Sequence, residues 1–369
     1  MSYKLAITSM SLGRCYAHHS LEAKFKAARD AGLSGIEMFY EDLADVAATL
    51  PSHPSPSSHI HAAQYIRSLS SYYALPIIAC GPFFYNEGNL TPSTRKAKLQ
   101  ELHLWFQVCR ILGTDIIQIP STFSSPSPST STNTNRLPQI ISDLREIADL
   151  GAAQNPPFRF AFENLCFGTH IDTWSGAWEV VKGVDRENFG LCLDTFNIAG
   201  REFADPASPT GTVPNAEATF KKSMKKMVQT IDPKKVFYIQ VIDAERLSAP
   251  LVEGHEFYVK AQKPRMSWSR NCRLFLGEQD RGGYLPVLDA AKAICDGLGY
   301  KGWVSFEVFN RSLVEEGDHV PREHAERAMK SWEYLCGKMG WENVGADVNE
   351  RRAERERRGE IGSEVMARL

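Results

Sequence analysis

The sequence lacks the features that mark several large classes of protein. No apolar run in its 369 residues approaches the roughly 20 residues that span a bilayer, and its first residues do not resemble a signal peptide. Lysine and arginine number 42 against 44 aspartate and glutamate residues, so the formal charge is −2 and no basic field can hold phosphate backbones. We therefore expect a protein without membrane or nucleic-acid partners.

Cysteine pairs are also missing from the sequence. The eight cysteines are scattered, without a C-x-x-C pair or a close histidine cluster, and Cys80 and Cys192 lie inside apolar runs. This usage is typical of small, reduced core residues and indicates a reducing compartment. We therefore expect a cytoplasmic protein, and we expect it to be either a monomer or a homodimer.

The sequence does contain a regular alternation of short apolar runs with longer, helix-compatible stretches. Eight such units predict parallel strands with right-handed crossovers, and eight units close an α/β fold of the (β/α)8 TIM-barrel type. An open doubly wound sheet is the alternative. Such a sheet normally has a G-x-G-x-x-G turn after its first strand, and the segment SMSLGRCY at this place lacks that spacing. The predicted strands are KLAITSM, GIEMF, LPIIAC, DIIQIP, FRFAFE, FGLCLD, VFYIQVID and WVSFEVF. The predicted helices span roughly 20–32, 59–73, 92–112, 136–153, 173–183, 214–230, 286–298 and 321–340.

Composition divides the chain into a barrel domain over residues 1–340 and a charged, mobile tail over 341–369. Segments rich in serine, proline and threonine at 51–58 and 121–135 predict mobile loops, the second being either a lid or plain disorder. The connection over 244–283 is far longer than usual. Long loops after barrel strands carry substrate contacts, so we expect such contacts there.

Polar side chains end four successive predicted strands. Side chains alternate across a strand, and each polar residue shares its face with a small or polar neighbour, whereas the large apolar residues take the other face. The carboxyl ends of barrel strands share one rim, so these groups should converge there. Three carboxylates in one place would repel one another unless a cation lay between them. The four residues are Glu163, Asp194, Gln240 and Glu307.

This all-oxygen set of ligands predicts a hard divalent cation. Carboxylate oxygens and an amide carbonyl suit Mg²⁺, Mn²⁺ or Co²⁺ better than structural zinc, which prefers cysteine and histidine. Such an ion acts as a Lewis acid on a carbonyl or enolate oxygen, which favours proton abstraction beside a ketone, followed by isomerisation or elimination. The competing interpretation is a salt-bridge network on a barrel without catalytic activity.

Several blocks of the sequence resemble 3-dehydroshikimate dehydratases of the fungal quinate-utilisation type, within the wider xylose-isomerase-like barrels. These blocks are the opening SMSLGRCYAHHSLEAKFKAARDAGLSGIEMFYEDL, FGLCLDTFNIAGR, VFYIQVIDAE and MSWSRNCRLFLGE, and the resemblance covers about residues 3–340. It implies a metal-dependent hydro-lyase that converts 3-dehydroshikimate to protocatechuate and water. It also implies metal ligands at Glu163, Asp194, Gln240 and Glu307.

The substrate implied by this resemblance is a cyclic hydroxy-enone that carries a carboxylate. Arginine suits a carboxylate better than lysine because its guanidinium offers a planar pair of donors. Arg273 in SRNCRLFLGE matches the family's substrate-binding arginine, Arg270 is the nearby alternative, and a surface salt bridge is the competing role of each. Glu37, late on the second strand, is predicted to hold a substrate hydroxyl or an arginine, or else to form a structural ion pair.

The sequence departs from the pattern of the bacterial relatives at residues that serve acid–base catalysis and carboxylate binding. The histidines that commonly follow strands five and six are absent, with Asn197 at the second position, and Phe84 replaces an arginine after strand three. His255, in the long loop, is the candidate general base, with a surface role as the alternative. Asn197 is predicted to bind the leaving hydroxyl or to be a turn residue, and His18 and His19 are further candidates near the rim.

Two other enzyme classes share the predicted barrel. A metal-dependent sugar isomerase or epimerase would use the same metal and carbonyl chemistry but would not need a partner for a carboxylate. An endonuclease for abasic DNA would need several histidines and a basic face, both of which the sequence lacks.

Overall fold

Eight parallel strands close into a barrel in the computed structural model, which describes residues 3–51, 54–123 and 136–342. The strands hydrogen-bond in the order β1-β10-β7-β6-β5-β4-β3-β2, and the predicted (β/α)8 TIM-barrel fold is thereby confirmed. The barrel strands are β1 (Lys4–Thr8), β2 (Gly35–Phe39), β3 (Ile77–Gly81), β4 (Ile116–Pro120), β5 (Arg159–Glu163), β6 (Phe189–Asp194), β7 (Val236–Gln240) and β10 (Trp303–Phe306).

Helices follow the strands around the outside of the barrel. Several begin at sequence signals for a helix start; for example, the hydroxyls of Ser20, Thr91 and Thr173 accept hydrogen bonds from backbone N–H groups of the first turn. The helices are α1 (Leu21–Ala31), α2 (Tyr40–Ala48), α3 (Pro56–Tyr72), α4 (Pro92–Leu112), α5 (Leu137–Ala152), α6 (Trp174–Val184), α7 (Thr195–Glu202), α8 (Ala216–Thr230), α9 (Pro264–Asn271), α10 (Val287–Lys292) and α11 (His319–Met339). The eight predicted helices are all present, and a π-helical turn extends α10 through Gly297.

Three further helices were not predicted, because α2, α7 and α9 are too short for an apolar period to stand out. Three predicted strands also end earlier in the structure: β1 ends at Thr8 instead of Met10, β7 at Gln240 instead of Asp243, and β10 at Phe306 instead of Phe309. The long connection after β7 holds α9 and a two-stranded antiparallel ribbon made of β8 (Asp243–Ala244) and β9 (Arg273–Leu274).

Alternation along the strands separates the two faces of the barrel as the sequence predicted. Outward residues such as Phe160 and Phe162 belong to the large apolar core shared with the helices. Inward residues such as Ala161, Cys192 and Tyr238 form a smaller buried cluster inside the barrel. The polar residues one step further along these strands therefore reach the rim at the carboxyl ends.

Parts of three predicted segments lie outside the described residues, namely 52–53, 124–135 and 343–369. The predicted loop mobility there, and the division into a 1–340 domain and a 341–369 tail, stay predictions. Within the described part of the chain, no helix combines the length and the apolar character needed to cross a membrane.

Candidate metal centre

Three carboxylates meet at the rim of the barrel. Glu163 ends β5, Asp194 ends β6 and Glu307 follows β10, and one oxygen of each lies within 4.8 Å of the others. All three side chains are buried, Glu307 being the most exposed at 7%. The structure therefore brings together the three acidic residues that the strand pattern selected.

Gln240, the fourth member of the predicted set, ends β7 in register with Asp194 on one side and Ser305 on the other. Its Nε2 donates a 2.9 Å hydrogen bond to Glu37. Its Oε1 is buried and has no hydrogen-bond partner among the described residues. A buried amide oxygen without a partner costs free energy, and a cation bound beside the three carboxylates would satisfy it. This donor set fits a hard divalent ion.

Electrostatics within this cluster oppose three full negative charges. Burial is the largest cause that raises the pKa of Glu163 well above its ordinary value, and the charges of Glu307 and Asp194 raise it further. Burial also raises the pKa of Asp194 and brings that of Glu307 to about 8. A single arginine, Arg273, is the cation that the described residues supply to the cluster. A divalent ion would remove the remaining repulsion.

Arg273 contacts the carboxylate cluster directly. Its Nη1 donates to Asp194 Oδ2 at 3.0 Å and to Glu307 Oε2 at 3.1 Å. Its Nε and Nη2 donate to the hydroxyl of Ser269 at 3.2 and 3.1 Å, and its guanidinium lies 4.2 Å from the ring centre of Phe196. The arginine is 2% exposed. Most of its donors are thus occupied by the protein itself.

Asn197 links two of the carboxylates. Its Nδ2 donates to Glu163 Oε1 and to Asp194 Oδ2, both at 2.7 Å. Its Oδ1 accepts a 2.9 Å hydrogen bond from the backbone N–H of Cys166. Both amide hydrogens are therefore used on the candidate metal ligands, and none remains for the leaving hydroxyl that we had predicted it to bind. Its geometry is that of a residue that orients the carboxylates.

Two buried polar residues complete the support of the cluster. Gln118 on β4 donates from Nε2 to Glu163 Oε2, and the sequence reasoning missed this residue. Glu37 accepts hydrogen bonds from Thr8, Tyr238, Gln240 and Ser305. All four of these donors come from strands of the barrel, and among the described residues Glu37 forms no ion pair with an arginine. The predicted contact of Glu37 with a substrate hydroxyl stays a prediction.

A cavity of about 690 Å³ opens above the cluster. Glu163, Glu307 and Arg273 form part of its floor, and Arg14 and Arg270 are also among its lining residues. Aromatic side chains make up much of the wall. They are Tyr16, Phe39, Tyr40, Phe84, Trp105, Phe123, Phe167 and Phe309. The lining thus combines aromatic rings with charged groups of both signs.

The predicted histidines are not among the residues that line this cavity. His255 is half-buried, and its Nδ1 accepts a 3.1 Å hydrogen bond from the backbone of Phe257. His19 is buried and its Nε2 lies 2.9 Å from the carbonyl oxygen of Glu315, while His18 is exposed. The structure thus brings the acidic residues and both predicted arginines to one cavity, but it does not bring these histidines to the lining.

Known proteins share both the fold and much of the sequence. A model of the family described as xylose isomerase-like TIM barrel matches residues 25–335. The 3-dehydroshikimate dehydratase of Neurospora crassa is 49% identical over 341 residues, which cover 91% of this chain and 94% of that enzyme. The 3-dehydroshikimate dehydratase of Pseudomonas aeruginosa is 26% identical over 79% of this chain, and the match covers 36% of that longer protein.

A solved structure agrees with the fold. The IOLI protein, solved with a zinc atom bound, superposes with a TM-score of 0.66 at 16% identity, over 91% of this chain and 98% of that one. At this identity the likeness concerns the fold alone. The chain belongs to the xylose isomerase-like TIM barrel family. Within that family, its sequence is similar over almost its whole length to a fungal 3-dehydroshikimate dehydratase.

Proposed function

We propose that this protein is a hydro-lyase that dehydrates 3-dehydroshikimate to protocatechuate. The single observation that carries this conclusion is the 49% identity to the Neurospora crassa enzyme, because the match covers 91% of this chain and 94% of that one. The buried carboxylate cluster at the floor of a cavity supports it, since a dehydration beside a ketone needs electrophilic help at the carbonyl oxygen.

Glu163, Asp194, Gln240 and Glu307 would hold the divalent ion. Their oxygen donors favour Mg²⁺, Mn²⁺ or Co²⁺ as the cofactor. When bound, the ion supplies a positive charge that polarises the ketone of the substrate and makes a neighbouring ring proton more acidic. The free oxygen of Gln240 is the feature that supports the fourth position.

The surrounding residues of the chain fix the positions of these ligands. Asn197 and Gln118 each donate to a different oxygen of Glu163, and Arg273 holds Asp194 and Glu307 on a single nitrogen. Hydrogen bonds of this kind keep ligating carboxylates in a fixed orientation and tune their affinity for metal. The aromatic wall of the cavity excludes water from the ring of the substrate.

The identity of the general base is also a proposal. His255 remains the predicted base, although the cavity lining gives that role no support. Replacing His255 with alanine tests it directly. A base contributes about 10²- to 10⁴-fold to a rate, so a variant with the rate of the wild type would remove His255 from the mechanism.

One assay tests the function. The purified protein is mixed with 3-dehydroshikimate with and without EDTA, and the absorbance of the catechol product is followed. We expect turnover that EDTA abolishes and that added Mn²⁺, Co²⁺ or Mg²⁺ restores. Glu307→Gln should keep the fold and lower the rate by orders of magnitude. Absence of turnover by the metal-loaded wild type would contradict the proposal.

The alternative function, a metal-dependent sugar isomerase or epimerase, receives no specific support from the geometry beyond the shared barrel. The same assay with neutral ketoses in place of 3-dehydroshikimate distinguishes the two functions.

We also propose that the protein is cytoplasmic and that it works as a monomer or a homodimer without nucleic acid. All eight cysteines are free in the structure, which suits a reducing compartment. Light scattering coupled to size-exclusion chromatography would give the oligomeric state.

A further inference from the structure

The carboxylate of the proposed substrate needs a cationic partner, and the arginine matched by sequence is already engaged. Arg273 donates to Asp194, Glu307 and Ser269 and is 2% exposed. A substrate carboxylate placed on it would also approach two buried carboxylates, and like charges at such distances repel. The other cations of the same cavity are therefore the candidates for this partner, on the premise that the proposed function holds.

Arg14, in the loop after β1, is one such cation. Its Nη2 donates to Glu41 at 2.8 Å, but its Nε is buried and has no hydrogen-bond partner in the described part of the chain. The guanidinium lies over aromatic rings of the cavity wall, 5.1 Å from the ring centre of Tyr16 and 5.8 Å from that of Phe39. Both rings also line the cavity, so the guanidinium packs on the cavity wall while one of its donors stays unused.

Arg270, in the last turn of α9, lines the same cavity but comes from a distant part of the sequence. Within residues 3–51, 54–123 and 136–342 no hydrogen bond or ion pair to its side chain is present. Burial lowers the pKa of Arg270, and the charge of Arg14 lowers it further. Both arginines line the same cavity, so an anion bound there would favour the charged form of each.

The charge balance at this end of the cavity leaves room for one anion. Glu41 pairs with Arg14, and Lys98 pairs with Glu101 at 2.8 Å. Arg273 pairs with Glu307, and Glu163, the remaining carboxylate of the lining, belongs to the carboxylate cluster. Among the described residues, Arg270 therefore has no ion-pair partner of its own. An anionic ligand would remove the repulsion between the two arginines and satisfy the buried Nε of Arg14.

We propose that Arg14 and Arg270 together bind the carboxylate of the substrate, while Arg273 positions the metal ligands. The guanidinium fork of arginine matches the two oxygens of a carboxylate, and two such groups from separate loops fix the direction of the ring. The cavity joins this pair to Glu163 and Glu307, so a ring held by its carboxylate at the arginines points its ketone toward the carboxylate cluster. This arrangement selects acidic ketones over neutral sugars.

The test uses single variants Arg14→Met and Arg270→Met, which keep the length and much of the apolar contact of the side chain. We expect each variant to raise the KM for 3-dehydroshikimate about tenfold or more, with kcat changed far less, since a charge-assisted hydrogen bond to the substrate is lost. Arg14→Lys should fall between the wild type and Arg14→Met. Arg322→Met, on the surface of α11, is the matched control, and circular dichroism confirms that each variant is folded.

A binding measurement separates this proposal from the proposed function. Isothermal titration compares protocatechuate with catechol, which lacks the carboxylate, for the metal-loaded wild type and each variant. We expect the wild type to prefer protocatechuate and both methionine variants to lose that preference. Failure of the wild type to turn over 3-dehydroshikimate would refute the function alone. A preference for protocatechuate retained by both variants, or an unchanged KM in both, would overturn the assignment of the arginines.

Discussion

Gln240 donates a 2.9 Å hydrogen bond from its Nε2 to Oε1 of Glu37 across the inside of the barrel. This contact fixes which end of the amide is a donor and leaves the amide oxygen as a buried acceptor without a partner. Glu37 is held in turn by Thr8, Tyr238 and Ser305. A carboxylate at the centre of the barrel therefore orients an oxygen ligand at its rim.

The first prediction concerns this orientation. Glu37→Ala removes the acceptor and lets the amide of Gln240 rotate, so we expect the affinity for Mn²⁺ to fall about 10- to 100-fold. Glu37→Gln keeps an oxygen that can accept from Gln240 and should recover much of that loss. Isothermal titration of the metal-free protein measures both. Wild-type affinity in Glu37→Ala would mean that Glu37 does not orient the ligand.

The second prediction concerns Asn197, whose Nδ2 donates to two carboxylates at 2.7 Å. Asn197→Asp keeps the shape but replaces both hydrogen bonds with repulsion between buried carboxylates. We expect the metal-free variant to lose about 3 kcal/mol or more of unfolding free energy, measured by urea denaturation in EDTA. Asn271→Asp is the control, because Asn271 donates to the backbone oxygen of Ser267 and its replacement should cost about 1 kcal/mol.

Much of the site could be predicted because strand parity is a simple rule. Glu163 and Asp194 end strands whose large apolar residues all take one face, so their direction followed from their spacing alone. Gln118 obeys the same rule within DIIQIP and could have been found as the polar residue of an otherwise apolar strand. It was missed because it does not end its strand.

The roles of the arginines and of Asn197 could not be predicted, because they depend on how loops and short helices fold over the rim. Arg270 and Arg273 are three residues apart, yet Arg270 lies in the last turn of α9 and is exposed, whereas Arg273 begins β9 and is buried. Asp194 is the N-cap of α7, and its side chain accepts a hydrogen bond from the backbone N–H of Phe196 at 2.8 Å. Asn197 lies in the first turn of this helix, so its side chain can reach back to Asp194. Sequence spacing does not encode these turns.

The third prediction concerns the metal and does not require activity. A ligand that binds only the folded state stabilises it by about 2.7 kcal/mol at one hundred times its Kd, and here it also relieves repulsion among three buried carboxylates. We expect Mn²⁺ to raise the Tm of the metal-free wild type by several degrees in calorimetry. Glu101→Gln, in the cavity wall, should show the same rise. A rise of equal size in Glu163→Gln and in Asp194→Asn would place the ion elsewhere.

The fourth prediction is a dependence of stability on pH that originates outside the metal centre. Glu87, in the loop after β3, is 1% exposed, and its Oε1 accepts a hydrogen bond from the backbone N–H of Thr122 at 2.8 Å. Within residues 3–51, 54–123 and 136–342, its Oε2 has no hydrogen-bond partner. Burial raises the pKa of Glu87 to about 7, although the hydrogen bond from Thr122 opposes the shift. The folded state therefore favours the protonated carboxyl.

Because the pKa of Glu87 is higher in the folded chain than in the unfolded chain, the folded state binds more protons between pH about 4.5 and about 7. The contribution of this group to stability is therefore full below that window and is lost as the pH rises through it. Glu87→Gln keeps an oxygen for Thr122 and cannot ionise, so we expect it to gain a few kcal/mol over the wild type between pH 5 and pH 8. Urea unfolding of both proteins at the two pH values measures this gain. The contributions of the other titrating groups are the same in both proteins and cancel in the difference between them. Parallel pH profiles would show that the carboxyl of Glu87 is ionised in the folded protein across the whole range.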